Sequence, residues 1–129
     1  MIGCGLIGSR RARTIPGGRL VACADVLPER AAALAATVAG CSAYGDWKQL
    51  LAEASCDVVI VATLHDTLAE IGAAAAGSGR HVLVEKPAGR RASEVAAIAE
   101  AAGKAGVLVR VGFNHRYHRA LRKARALVD

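Results

Sequence analysis

Gly3-Cys4-Gly5-Leu6-Ile7-Gly8, followed by Leu20-Val21-Ala22-Cys23-Ala24-Asp25, decides the fold of this chain. The glycine spacing is what a strand needs to turn directly into a phosphate-facing helix. The first glycine permits the tight turn, the second lets backbone amides approach a diphosphate, and the third lets helix and strand pack closely. Gly3, Gly5, Leu6, Ile7 and Gly8 are therefore candidate dinucleotide contacts. A ligand-free Gly-rich turn has the same composition, since the chain holds 14 glycines in 129 residues. The second segment adds what composition lacks: an apolar strand ending on Asp25, close to the separation of about 20 residues expected for the acid that holds an adenosine ribose. An ionised Asp25 accepts hydrogen bonds from ribose hydroxyls and repels a 2′-phosphate, so NAD is expected in preference to NADP. The plainer alternative is that Asp25 caps the following helix.

The bulk properties fit one α/β domain over residues 1–129, large enough to bury a core. Hydrophobic residues make up 53%, yet no apolar run reaches the 18 or so residues of a membrane helix. No basic region precedes an apolar stretch near Met1, so a secretory signal is not expected and cytoplasm is the default compartment. Cys4, Cys23, Cys41 and Cys56 lack CxxC spacing, which fits packed, reduced thiols rather than a metal site or disulfide framework. The net charge of +6 draws on Arg116, Arg119, Arg122, Lys123 and Arg125. A helix starting near His118 would carry these on one side and a buried stripe of Ala120, Leu121, Ala124, Leu127 and Val128 on the other. With four aromatic residues in the chain there is little base-stacking surface. A solvated helix face accounts for the charge better than nucleic-acid binding does.

Along the chain, strand and helix alternate, the signature of a parallel sheet with crossover helices. Helices are expected over 9–14, 28–39, 48–53, a stretch carrying Leu64, Leu68, Ile71 and Ala75, and 92–105. Pro16-Gly17-Gly18, Gly40 and Gly77-Ser78-Gly79 serve as breakers and Asp46 as an N-cap. Strands are expected over 20–24, 42–44, 57–62, 81–84 and 107–111, in addition to Met1-Ile2. The β-branched run 57–62 reads as a central strand covered on both faces. Together these make a Rossmann-type doubly wound sheet.

Glu85-Lys86-Pro87 after the fifth strand, with the opening glycine loop and Gly112-Phe113-Asn114-His115-Arg116-Tyr117 after the sixth, resembles the Gfo/Idh/MocA family of NAD(P)-dependent oxidoreductases. The resemblance spans essentially the whole chain. It implies hydride transfer between a nicotinamide ring and a carbon of a sugar, inositol or related polyol. It also implies that Lys86, after which the bond to proline is commonly cis, contacts the reacting hydroxyl as the candidate catalytic residue. A cation there stabilises negative charge developing on the substrate oxygen. Glu85 would orient cofactor or lysine, Asn114 would approach the nicotinamide, and Thr63 would face the cofactor from the fourth strand's end.

Some positions depart from the family's pattern. Thr63, Leu64, His65 and Leu68 stand where Thr-Pro-Asn and a later histidine are common; a backbone contact from this turn is compatible with those changes, whereas a side-chain contact is not assumed. Arg119 stands where proline is frequent. Loop histidines such as His65, His115 and His118 are usually solvated and are not assigned a proton-transfer role.

The family's acid/base pair, an aspartate and a histidine separated by three residues, belongs to a C-terminal α/β domain that often also forms the oligomer interface. That domain has no counterpart here, so no general base is named. Only Met1 and Ile2 precede the glycine loop, against about five or six residues in an ordinary strand. The chain is accordingly expected to be a fragment of a longer frame or marginally stable alone, with equal melting midpoints after restoring six apolar residues as the refuting result. The resulting expectation is the cofactor half of a sugar-type dehydrogenase, incomplete as an enzyme. The alternatives are a non-catalytic NAD-binding module working with a partner chain and a basic nucleic-acid-binding protein.

Overall fold

The computed structural model describes residues 1–15 and 17–129; Pro16, part of an expected breaker, lies outside the described residues. The shortest sheet element holds the others together. Ile2 forms parallel bridges to Ala24 on one side and Val61 on the other. Four backbone bonds of 2.8–2.9 Å anchor this segment: Ile2 N to Ile60 O, Ala62 N to Ile2 O, Gly3 N to Ala24 O and Ala24 N to Met1 O. One residue of strand geometry thus joins two parallel sheets. The first contains β1 (Ala22–Ala24) and β2 (Ser42–Tyr44); the second contains β3 (Val58–Val61), β4 (His81–Val84) and β5 (Val109–Val111). The spatial order is β2, β1, Ile2, β3, β4, β5. Counting the Ile2 segment as the first strand, this is the 3-2-1-4-5-6 order of a dinucleotide-binding sheet.

Helices cover both faces. On one lie α3 (Trp47–Glu53), α4 (Leu68–Gly77) and α5 (Ala92–Ala105), whose Leu50, Leu68, Ile71, Ala75, Ile98 and Ala102 pack with Ile2, Ala24, Val59, Val61, Val82 and Val84. On the other lie α1 (Leu6–Ala12) and α2 (Pro28–Ala35), where Met1, Cys4, Cys23, Ala31 and Leu34 form a second cluster. The strands feed the two clusters alternately, Cys23 into one and Ala22 and Ala24 into the other, as the two-residue pleat requires.

Several local expectations change. The first helix starts at Leu6, directly on the glycine loop with Gly5 as N-cap, and ends at Ala12 rather than spanning 9–14. The second ends at Ala35, before the expected stop at Gly40. Both the amide and the hydroxyl of Thr37 donate to Leu34 O, and Val38 N donates to Ala35 O, so the chain tightens into turns there. Leu64 is 77% exposed and precedes α4 rather than joining its buried stripe. Strand β3 is central but incompletely covered: Val59 and Val61 are buried, Ile60 is half-buried and Val58 is exposed. On the Ile60 side, β4 and β5 carry Leu83 and Arg110, neither of them buried.

The largest correction concerns α6 (Arg119–Val128), which does begin beside His118 but buries nothing. Leu121, Leu127 and Val128 are exposed, as are Ala120 and Ala124. The helical spacing of these residues is real, but none of the described residues buries them.

Candidate functional site

Because every strand pairing is parallel, all carboxyl ends face one edge, where open α/β sheets bind ligands. The glycine loop sits at the middle of that edge, and its three glycines differ in what they do. Gly3 has φ +89°, and a Cβ there would lie 2.5 Å from Ala62 O; a Cβ on Gly8 would lie 1.8 Å from Gly3 O. Both are required by packing. Gly5 has φ −67°, which any residue adopts, and a Cβ there would meet nothing within 4 Å. The fold therefore does not require glycine at position 5, and the empty space above it is what close approach of a ligand to the backbone needs. First-turn amides of the adjoining helix have no acceptor within the helix, so they are available to an anion.

Asp25 closes β1 and is tied to this loop. Its Oδ2 accepts from Cys4 N at 2.7 Å and its Oδ1 from Leu27 N at 3.0 Å. The second bond closes a turn just ahead of α2, whose N-cap Leu27 has no side-chain cap bond, so the expected alternative of Asp25 capping that helix is not met. The first shows an additional role, because the acid holds the glycine loop in place. Each carboxylate oxygen keeps a further lone pair, so these bonds leave acceptor capacity for a ribose. Burial first, and then the nearby Asp25 carboxylate, push the Cys4 thiol above its ordinary range. Cys4 is thus a packing residue of the loop.

Beside the loop, a cavity of about 400 Å³ is lined by Ile7, Arg10, Arg11, Thr14, Ala62, Thr63, His65, Glu85, Lys86 and Asn114. Five residues singled out from sequence meet here, namely Ile7, Thr63, Glu85, Lys86 and Asn114. Gly3, Gly5, Leu6, Gly8 and Asp25 lie outside this lining, along the rest of the edge. The Lys86–Pro87 bond is cis. The Thr63 hydroxyl accepts from Thr67 Oγ1 at 2.9 Å.

Glu85 is buried at the end of β4, and its partner is Arg11 of α1, whose Nε donates to Glu85 Oε1 at 2.6 Å. Among the described residues no ion pair includes Lys86, and Glu85 is paired with Arg11. Arg11 and Arg10 are the residues that sequence reasoning passed over. The signal for them was the helical stripe Ile7, Arg10/Arg11, Thr14, with Arg11 three positions beyond Gly8 and hence on its face.

A family model described as an oxidoreductase family with an NAD-binding Rossmann fold matches residues 1–113. Inositol 2-dehydrogenase 2 of Saccharopolyspora erythraea is 33% identical over all of this chain and 40% of its own length. D-xylose 1-dehydrogenase (NADP(+)) 2 of Haloferax volcanii is 37% identical over 77% of this chain and 30% of its own length. The crystal structure of the WlbA dehydrogenase from Bordetella pertussis, in complex with NADH and UDP-GlcNAcA, superposes with a TM-score of 0.91 at 25% identity. It covers 98% of this chain, which in turn covers 40% of it. The chain thus spans about two fifths of the length of such relatives.

Proposed function

The chain belongs to the Gfo/Idh/MocA oxidoreductase family, and from that premise we propose that it is the cofactor-binding half of a dehydrogenase. That enzyme would move a hydride between NAD(H) and a carbon of a sugar, inositol or related polyol. The observation that carries the reading is the open approach to Gly5 between two glycines that packing requires, with Lys86 in the cavity next to the loop at the same sheet edge. The residues present fit a dinucleotide. Gly5 offers the diphosphate a stretch of backbone with no side chain over it, Asp25 faces the adenosine ribose, and the cavity takes the nicotinamide end. NAD is preferred to NADP on the charge of Asp25 alone, because relatives include an NADP(+)-dependent enzyme.

When bound, NAD+ supplies a hydride acceptor. The chain's own contribution is to position and polarise. Lys86 donates hydrogen bonds to the oxygen of the reacting carbon and stabilises the negative charge that develops as its proton leaves. Glu85 is held by Arg11, and Lys86 lines the cavity. Thr63 and Asn114 bound the nicotinamide side. The proton acceptor is assigned to the part of the relatives' length that this chain does not span.

The test uses two preparations. The chain alone is titrated with NADH, and a chimera joining it to the C-terminal domain of the Saccharopolyspora relative is assayed for myo-inositol-dependent NAD+ reduction. Saturable NADH binding, with chimera turnover lost in Lys86→Met but NADH affinity kept, is the expected result. A Lys86→Met chimera with undiminished turnover would remove the lysine from its role.

A further inference from the structure

Arg11 joins three elements that are far apart in sequence. Its Nε donates to Glu85 Oε1 at the end of β4, 2.6 Å away, and its Nη2 donates to Asn114 Oδ1 just after β5, 2.9 Å away. The guanidinium is a rigid planar fork with donors only. The Asn114 amide must therefore turn its oxygen toward Arg11, which leaves its NH2 group as the polar end free for a ligand. The surrounding backbone is built around this arrangement. A Cβ on Gly112 would lie 3.0 Å from Glu85 Oε2 and 3.1 Å from Arg11 Nη2. Gly112 N donates to Val84 O, and Asn114 N to Gly112 O, fixing the loop that carries the amide.

We propose that Arg11 is a positioning residue for the nicotinamide end of the site, aiming the Asn114 NH2 at an amide oxygen of the ligand while it is itself anchored on the Glu85 carboxylate. The ligand group that fits a fixed NH2 donor at this place is the carboxamide carbonyl of the nicotinamide. This rests on the cofactor reading above and adds to it which residue orients that end. It also separates two halves of the dinucleotide: the diphosphate answers to the glycine loop, the nicotinamide to the Arg11 clamp.

The experiment compares NADH with ADP-ribose, which keeps the diphosphate and both riboses but lacks the nicotinamide, by calorimetric titration of the chain and its variants. Arg11→Met is expected to weaken NADH about tenfold, the scale of one hydrogen bond of about 1.4 kcal/mol, and to leave ADP-ribose within a factor of about two. Arg11→Lys, which can pair with Glu85 but lacks the fork to hold Asn114 as well, is expected to fall between. Equal losses for both ligands would place Arg11 at the diphosphate and overturn the proposal; unchanged affinity for both would do so too. If Arg11→Met does not fold, Asn114→Asp serves, since it keeps an acceptor for Arg11 and removes the donor. NADH weakened with ADP-ribose unchanged supports the orientation, and unchanged NADH overturns it. Failure of the unaltered chain to bind either ligand would instead refute the cofactor reading itself.

Discussion

The backbone N–H of Cys4, inside the glycine loop, donates to Asp25 Oδ2 at 2.7 Å. The acid that sequence spacing assigns to a ribose is therefore also the residue that anchors the loop to the end of β1. Asp25→Ala removes the acceptors of both Cys4 N and Leu27 N. Hydrogen bonds to a charged group contribute about 1.5–3 kcal/mol each at most, and these are part-exposed, so a loss of about 1–3 kcal/mol in urea denaturation is expected, together with weaker NADH binding. An unchanged urea midpoint would mean that the loop holds its shape without the acid.

Gly8 is expected to be a stability position. Its missing Cβ would lie 1.8 Å from the carbonyl oxygen of Gly3, a backbone atom that cannot swing aside. Gly8→Ala must push α1 off the sheet, and overpacking of this kind costs about 1–3 kcal/mol. Thermal melting of Gly8→Ala beside Gly5→Ala checks this. The first should melt clearly lower and the second closer to the unaltered chain; the reverse order would contradict the assignment of the three glycines.

The thiols give the fold an alkaline limit. Burial pushes Cys4, Cys23 and Cys41 upward, Cys41 from 9.0 to about 11. An acid whose value is raised on folding holds its proton more tightly in the folded state. Its contribution is fully present below the unfolded value and is lost as pH rises through 9 toward 11. The melting temperature should therefore fall between pH 9 and 11, with a shallower slope in Cys41→Ala, and iodoacetamide should modify Cys41 slowly at pH 8. Rapid labelling of Cys41 in folded protein at pH 8 would show that its thiol is not held in the protonated form.

How far the sequence carries depends on whether a feature is local. Helix α5 spans Ala92–Ala105 and β4 spans His81–Val84 as expected from breakers and apolar runs alone, because Gly106 takes a left-handed turn at φ +66° and Gly79 another at φ +80°. The order of the sheet followed from the glycine loop and the alternation of elements. What escaped the sequence was set at long range. Arg11 meets partners 74 and 103 residues away, a distance over which no spacing rule applies, and a loop-anchoring bond to Asp25 cannot be inferred from an acid at a strand end. Helix α6 failed in the opposite sense: its apolar period is strong, but period alone does not supply a surface to bury against, and its apolar side chains stand in solvent. At α2 the hydroxyl of Thr37, reaching back to Leu34 O, ended a helix that propensity would have continued to Gly40.

The central claim is that the backbone around Gly5 receives the diphosphate of NAD(H), and calorimetric titration of NADH into the folded chain and into Gly5→Val measures it most directly. Position 5 has room for a Cβ and an ordinary φ, so Gly5→Val should still fold, about 1 kcal/mol less stable for the poorer N-cap. The unaltered chain should give a saturable isotherm and Gly5→Val none. A missing isotherm in the folded unaltered chain, or one that survives the valine intact, would contradict the account.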